Sequence, residues 1–397
     1  MREITNTFYK YLSLHSLLIG IFPFFLPVFL WNKGFSLADI CIFIGVSGFA
    51  FSVALWIWDH VRRVITLINL VGISLILELV LLGMSTVIEA GHIALWPLGV
   101  CYGAYNCFFW STQRALFFEG VNAANSGRSY GNMQMFVGLV LQVGIMIGGL
   151  LLEKLGFDYV LIASALVCLI GFGILLRNNS GTPAALNQLE PLSVLEIITF
   201  KDSHASKFIF ILDGFYLFLE SFFWVISLFM IAHESFVTLG LMVMSLAIIF
   251  GAIFYFLKNV IDRLDRWRIY RIAVVLYALS WAMRANVTEQ MSLVYLFFAL
   301  VLITFCTSFF RLAMNKRFYD LARETMNHRY LVLKSYYSQV SIGVVFVGFG
   351  WLLAEDASAD RILFLTYWSA TLLSFSFLLY GAAYAKAGRL AAKNNPS

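Results

Sequence analysis

The chain has 397 residues, of which 61% are apolar and only 12% are charged. Soluble domains carry roughly 25% charged residues, and a water-soluble fold of this size could not bury so many apolar side chains. Composition therefore predicts a polytopic membrane protein and excludes a soluble enzyme. Because each helical span takes about 20 residues, the length allows twelve spans and no sizeable soluble domain.

Twelve apolar runs, almost free of charge, follow one another along the chain. The first six cover residues 12–31, 40–58, 64–87, 93–112, 133–152 and 159–176. The other six cover residues 208–232, 237–257, 272–283, 291–310, 335–353 and 362–384. The ninth is too short to cross a bilayer unless Arg271 and Arg284 belong to its helix and snorkel to opposite interfaces. Pro23 and Pro27 predict a kink in the first helix.

A polar linker, residues 177–207, separates residues 1–176 from residues 208–397. We expect a six-helix bundle on each side, the second followed by a short cytoplasmic tail, and a short surface helix at residues 191–198. With the N-terminus in the cytoplasm, the cations in outer loops are Lys33, Lys154, Arg284 and Arg361, four of 27. This bias predicts cytoplasmic termini, and it explains the net charge of +5 without a nucleic-acid partner.

The two halves repeat one another at a shift of 201 residues. This shift pairs Phe117-Phe118-Glu119 with Phe318-Tyr319-Asp320, and Arg128 with Arg329. An acid and an arginine therefore stand nine residues apart at the same topological position in both halves. The pattern predicts duplication of a six-helix unit.

Two parallel six-helix repeats joined by a polar linker resemble the major facilitator superfamily (MFS) of secondary transporters. The family signature after the second helix is matched by Asp59, Arg62 and Arg63, which keep its aspartate and basic end but not its glycines. A second copy follows the eighth helix. The resemblance implies an all-α polytopic membrane protein with 12 transmembrane helices in two pseudo-symmetric six-helix bundles.

The resemblance also implies a cytoplasmic gate, whose contacts break when the inner side opens. Its candidates are Asp59, Arg62, Arg63, Glu119, Arg128, Asp262, Arg263, Arg266, Asp320 and Arg329. The alternative is ordinary positive-inside charge with a few neutralising acids.

Three acids lie inside predicted spans, where an ionised side chain costs about 3 kcal/mol even on a lenient scale. Asp213 and Glu220 stand seven residues apart, on one face of the seventh helix. The resemblance places this helix on the central cavity, so the pair is a candidate site for proton coupling or substrate binding. The alternative is a structural pair of hydrogen-bonding acids. Glu78, on the third helix, is either a second proton site or an interhelical hydrogen bonder.

Other candidates surround these acids. Arg311 pairs with Asp213, holds an anionic substrate, or snorkels. His15 titrates near neutrality when exposed to water, although a membrane histidine is more often a packed hydrogen bonder. Polar and aromatic cavity candidates include Tyr105, Asn106 and Tyr216.

The sequence therefore predicts a secondary active transporter that moves a small organic solute across a bacterial inner membrane by alternating access, coupled to protons. We expect a functional monomer in the lipid bilayer without a cofactor or metal. The alternatives are an uncoupled facilitator of the same fold, a polytopic membrane enzyme, and a receptor or scaffold that does not transport.

Overall fold

The computed structural model describes residues 2–88, 95–120, 126–177, 190–261, 266–324, 328–353 and 358–380. Every regular element in these ranges is helical. The helices up to the linker are α1 (Arg2–Ile21), α2 (Leu26–Asn32), α3 (Leu37–Val61), α4 (Leu67–Thr86), α5 (Trp96–Gly120), α6 (Ser126–Leu150) and α7 (Phe157–Arg177). The linker contributes α8 (Val194–Thr199). The remaining helices are α9 (Ser206–Phe218), α10 (Trp224–Ile231), α11 (Phe236–Ile261), α12 (Arg266–Asn286), α13 (Leu293–Glu324), α14 (His328–Leu352) and α15 (Ala359–Ser374).

The apolar runs of the sequence coincide with these helices. Within the described residues, nine helical segments are long and apolar enough to cross a membrane. The fourth, eighth and ninth runs correspond to α5, α11 and α12, which are not among the nine. The ninth run nevertheless lies in a helix of 21 residues, and at about 1.5 Å per residue such a helix spans the hydrocarbon core.

Two predicted spans are broken in the middle. In the first, a 3-10 turn at Pro23–Phe25 separates α1 from α2, because proline has no N–H to donate and its ring clashes with the preceding turn. The predicted kink is therefore confirmed. In the seventh, a π-helical turn at Leu219–Phe223 separates α9 from α10. Such turns inside α-helices are frequent at functional sites.

Glycines on α6 allow close packing against α1. A Cβ atom on Gly144 would lie 2.3 Å from the Leu17 carbonyl oxygen, and one on Gly148 would lie 2.1 Å from the Ile21 carbonyl oxygen. Real Cβ atoms do not approach backbone so closely, so the two helix axes could not keep this separation with any other residue. The sequence pattern Gly144-x-x-x-Gly148 thus serves helix packing.

The two halves of the chain contact each other through α3 and α14 and at both ends of the bundle. At one end, the Glu153 carboxylate accepts hydrogen bonds from the Val237 backbone N–H at 2.8 Å and the Ser235 hydroxyl at 2.7 Å. At the other end, the Arg114 guanidinium donates to the Ser335 hydroxyl at 2.7 Å. Contacts between the halves therefore reach from one end of the bundle to the other.

The linker helix α8 begins with a capping box formed by Ser193 and Glu196. Its exposed side chains Val194, Leu195 and Ile198 are apolar, whereas Ile197 packs on the core. A short helix is thus present near the predicted position, and it exposes the apolar face that a helix on a membrane surface requires.

We expect Gly148→Ala to destabilise the protein by about 1–3 kcal/mol, the usual cost of overpacking. Gly138→Ala on the same helix is the matched control, because a Cβ there meets nothing within 4 Å. Denaturant titration of the purified protein in detergent micelles measures both. Equal effects of the two substitutions would contradict the packing argument.

Candidate functional site

Four charged side chains from three helices and the π-helical turn form one ion-pair network. The Arg311 guanidinium on α13 donates from Nη1 to Asp213 at 2.5 Å and from Nε to Glu220 at 2.9 Å. The Lys334 ammonium on α14 lies 3.0 Å from the other Asp213 oxygen. Two carboxylates and two cations thus compensate one another, as buried charges must.

The break in the seventh helix positions the two acids. Asp213 lies on α9, and Glu220 is the second residue of the π-helical turn. Both carboxylates reach the same guanidinium, and the Tyr277 hydroxyl on α12 donates to the second Glu220 oxygen at 2.5 Å. The Glu220 and Arg311 side chains are 17% and 21% exposed, so the network is not completely enclosed by protein.

Arg284 supplies a third cation close to this network. It is only 4% exposed, and its guanidinium lies 4.3 Å from the Trp281 ring centroid and 5.0 Å from that of Trp224. It donates to the hydroxyls of Ser280 at 3.0 Å and Thr307 at 2.8 Å. The expectation that Arg284 snorkels to the outer interface is therefore wrong, because hydroxyl and aromatic partners inside the bundle replace water around the guanidinium.

A second group of candidates meets in the N-terminal half. The His15 Nδ1 atom lies 4.0 Å from a Glu78 carboxylate oxygen. The His15 Nε2 atom lies 3.2 Å from the Tyr105 hydroxyl. Both His15 and Glu78 are buried. The structure thus brings three of the sequence candidates together at the junction of α1, α4 and α5.

The remaining cavity candidates have local partners. Asn106 donates to the Tyr102 carbonyl at 2.8 Å and accepts from the Trp110 indole at 3.1 Å. Tyr216 is fully buried and donates to the Ala370 carbonyl oxygen. Tyr216 therefore connects the seventh and twelfth predicted spans, and its hydroxyl is engaged away from the ion-pair network.

Two of the gate candidates, Asp59 and Arg329, contact the linker. Asp59 pairs with Arg62 at 2.8 Å and accepts a hydrogen bond from the Leu192 backbone N–H at 2.9 Å. Arg329 pairs with Glu196 of α8 at 2.9 Å. The linker is thus attached to the N-terminal half through Asp59 and to the C-terminal half through Arg329.

Hydrogen bonds fix the charge of Glu196 in this contact. The backbone N–H and hydroxyl of Ser193, together with the Arg329 guanidinium, hold the pKa of Glu196 below its ordinary value. A lowered pKa means that the contact is fully formed at neutral pH and is lost only as the pH falls through the lowered value.

The other gate candidates divide into two groups. Arg63 is exposed and Asp320 is half-buried near the inner end of α13. The side chains of Glu119, Arg128 and Arg266, and all of Asp262 and Arg263, lie outside the described residues.

Sequence reasoning missed Lys334, Tyr277 and Arg284 as members of the site. Lys334 stands immediately before the eleventh apolar run, a position at which cations commonly flank a membrane span. Tyr277 is one of 18 tyrosines, so its residue type carries little signal. Only Arg284 offered a signal in the sequence. The ninth run is long enough to cross a bilayer only if its helix includes Arg284, and a cation inside such a helix needs a partner.

A sequence profile of the Major Facilitator Superfamily matches residues 62–343. The match covers more than half of the chain, which therefore belongs to this superfamily of membrane transporters. No curated protein matches the sequence significantly.

Two similar solved structures are crystal structures of the nucleoside transporter NupG. An aspartate-to-alanine variant of NupG superposes with a TM-score of 0.70 at 14% identity, covering 94% of this chain and 99% of that chain. The second NupG structure gives a TM-score of 0.66 at 14% identity, covering 94% and 98%. At 14% sequence identity, these superpositions show that this chain and NupG share a fold.

We expect Lys334→Met to destabilise the protein by about 1–3 kcal/mol. Breaking a buried ion pair costs about 3–5 kcal/mol, but Asp213 keeps its contact with Arg311, and the Lys334 side chain is 14% exposed. The double variant Asp213→Asn, Lys334→Met should lose less than the sum of the single variants, because no unpaired carboxylate remains.

Lys154→Met is the control. Its side chain is 68% exposed and 3.8 Å from Glu153, so the expected change is only about 0–1 kcal/mol. Denaturant titration in micelles compares these variants. Strict additivity of the two single substitutions would argue against the pairing.

Proposed function

We propose that the protein is a proton-coupled secondary active transporter of a small organic solute, working by alternating access. The observation that carries the proposal is that Asp213 and Glu220 share the guanidinium of Arg311. In a medium of low dielectric constant, a carboxylate either pairs with a cation or takes up a proton. Proton binding and pairing with Arg311 are therefore alternatives for Glu220.

This competition provides a physical basis for coupling. When Glu220 takes up a proton, its attraction for Arg311 is lost, and Arg311 keeps only Asp213 as an anionic partner. The freed Nε hydrogen of Arg311 becomes available to a polar group of the solute. Since Glu220 lies in a π-helical turn, the change occurs where the regular α-helix is interrupted, and it shifts the balance between two conformations of the bundle.

We propose that twelve helices form two six-helix bundles, at residues 1–176 and 208–397. The helices that coincide with the twelve apolar runs support this arrangement, as does the superfamily. The positive-inside distribution supports cytoplasmic termini in a bacterial inner membrane. The polar network lies within one chain, so we propose that the monomer transports.

We propose that the inner gate includes Asp59, Arg62, Arg63, Asp320 and Arg329, together with the corresponding candidates outside the described residues. The linker contacts of Asp59 and Arg329 support it. A segment attached to both halves must release one of them when the halves separate at the inner face. The free energy of its few polar contacts is small enough for a conformational change to make and break them.

The solute class is proposed from the chemistry of the network and from the similar structures. The network presents charged and hydroxyl groups, and behind them the buried rings of Tyr277 and Phe310 are stacked with their centroids 3.9 Å apart. Charged and hydroxyl groups in such a site suit a compact organic molecule with several polar groups. The similar solved structures are of a nucleoside transporter, so uridine is the first probe in a panel that also contains sugars, organic acids and peptides.

Solute accumulation in proteoliposomes tests the coupling. The compound is first selected by its ability to raise the thermal stability of the purified protein. An imposed pH gradient should then drive its accumulation by the unaltered protein but not by Glu220→Gln or Asp213→Asn, whereas exchange of labelled for unlabelled solute should persist in Glu220→Gln. The control is Glu289→Gln, at an exposed position.

Full accumulation by both acid variants would overturn proton coupling through this pair. If the unaltered protein equilibrates the solute without accumulating it, the protein is an uncoupled facilitator, and the acids bind solute only.

Glu196→Gln tests the gate. The substitution removes the charge that Arg329 contacts. The cleft that Asp59 and Arg329 both line should therefore open more often. A cysteine at Val332, which lines this cleft, should then react faster with a maleimide added from the cytoplasmic side. The parent protein supplies the background, because its five cysteines are buried. An unchanged rate would show that the linker contact does not hold the inner side closed.

A further inference from the structure

The pair formed by His15 and Glu78 is isolated from the ion-pair network of the C-terminal half. His15 is 1% exposed and Glu78 is fully buried. The His15 ring stacks on Phe109 with the ring centroids 3.2 Å apart. The imidazole is therefore held in place on one face, with its two nitrogens directed to Glu78 and Tyr105.

The carboxyl group of Glu78 has an unusual set of neighbours. Among the residues that the structure describes, neither of its oxygens has a hydrogen-bond partner, and neither does the Nδ1 atom of His15. The 4.0 Å between this nitrogen and the carboxyl is too long for a hydrogen bond. An ionised carboxylate without donors is the most costly state for such a group, so in this arrangement Glu78 carries a proton and His15 is neutral.

The tautomer of His15 fits this assignment. With its proton on Nε2, the imidazole donates to the Tyr105 hydroxyl at 3.2 Å and presents the Nδ1 lone pair towards Glu78. A movement of either side chain by about 1 Å would bring Nδ1 within hydrogen-bond distance of the carboxyl oxygen. The proton could then pass from Glu78 to His15, which leaves a carboxylate beside an imidazolium and no change in net charge.

The titratable groups around the pair are all neutral ones. The helix α5 contributes Cys101, Tyr102 and Tyr105, and α7 contributes Cys168. Among the side chains that the structure describes, His15 is the group near Glu78 that becomes a cation when it binds a proton. Protonation is therefore the means by which the charge of Glu78 is compensated.

Aromatic side chains connect the pair with the site in the other half. The Tyr105 ring centroid is 6.3 Å from that of Tyr102, which is only partly buried. The Tyr102 ring is 6.0 Å from Phe222, a residue of the π-helical turn that contains Glu220. Movement of that turn can thus reach the packing around His15.

We propose that Glu78 and His15 form a second proton-binding site in the N-terminal half, which loads and releases one proton. Glu78 holds the proton in the present arrangement. On release, the proton passes from Glu78 to Nδ1 of His15, while Nε2 gives its proton to the Tyr105 hydroxyl, which passes its own proton to water admitted when the bundle opens. The use of this site in transport rests on the proposed function, whereas the binding of the proton does not.

Infrared difference spectroscopy of the full chain in lipid nanodiscs, without any solute, tests the proposal directly. The unaltered protein should show the carbonyl stretch of a protonated carboxyl in apolar surroundings, and raising the pH should remove it. This component should be missing in Glu78→Gln and retained in Glu220→Gln and Asp213→Asn. A rapid alkaline pulse should release one proton fewer from Glu78→Gln than from the unaltered protein.

The variant His15→Asn keeps the test informative if Glu78→Gln does not fold. Without the imidazole, the ionised carboxyl loses its cationic partner, so the carbonyl band should persist to more alkaline buffer. The proposal is overturned if the band of the unaltered protein does not respond to pH, or if Glu78→Gln leaves the spectrum unchanged. A band that never titrates would make Glu78 a permanently protonated structural group.

The outcome is separable from that of the proposed function. If both Glu220→Gln and Asp213→Asn accumulate solute fully while the Glu78 band titrates, coupling through the C-terminal pair fails and the second site remains. If those variants lose accumulation while Glu78→Gln changes nothing in the spectrum, the second site fails and the proposed function stands.

Discussion

The contact of one guanidinium with two carboxylates is the interaction around which the site is built. Arg311 reaches Asp213 on one side of the break in the seventh helix and Glu220 within it. Lipid cannot solvate these charges and most of their surface is buried, so the helices that carry them must remain in contact. The ion pairs connect α9 and the π-helical turn with α13, Lys334 adds α14, and the hydroxyl of Tyr277 adds α12. A single constraint, the compensation of buried charge, thus joins most of the C-terminal half.

Much of this arrangement is visible in the sequence, and the physical reason is that charge in hydrocarbon is costly. Asp213 and Glu220 stand out because few charges interrupt the apolar runs, and Arg311 stands out because the repeat pairs it with Trp110; the structure places all three together. Pro23 likewise predicts the break after α1. The π-helical turn at Leu219–Phe223 was not predictable, since it depends on packing and not on a residue that forbids the α-helix. Lys334 escaped notice because a cation at the edge of a span is ordinary.

Arg284 shows where composition misleads. A cation near the end of an apolar run is expected at the interface, because its long side chain can reach water. The structure turns it inward, since two tryptophan rings and two hydroxyls occupy its surroundings. Ser280 and Trp281 lie one turn earlier on the same helix, but Trp224 and Thr307 come from other helices, and no local sequence pattern identifies those two.

The internal repeat makes the asymmetry of the two halves informative. At the shift of 201 residues, Arg311 corresponds to Trp110, Asp213 to Leu12, and His15 to Tyr216. Each half therefore carries titratable groups where the other has a neutral residue, although the two share a scaffold. The C-terminal half compensates its acids with fixed cations, so a proton there must compete with arginine and lysine. Among the described side chains, the possible cationic partner of Glu78 is His15, 4.0 Å away. His15 is itself neutral when the carboxyl is protonated. The two halves thus neutralise a buried carboxylate in different ways: an ion pair in one half and, as we propose, a bound proton in the other.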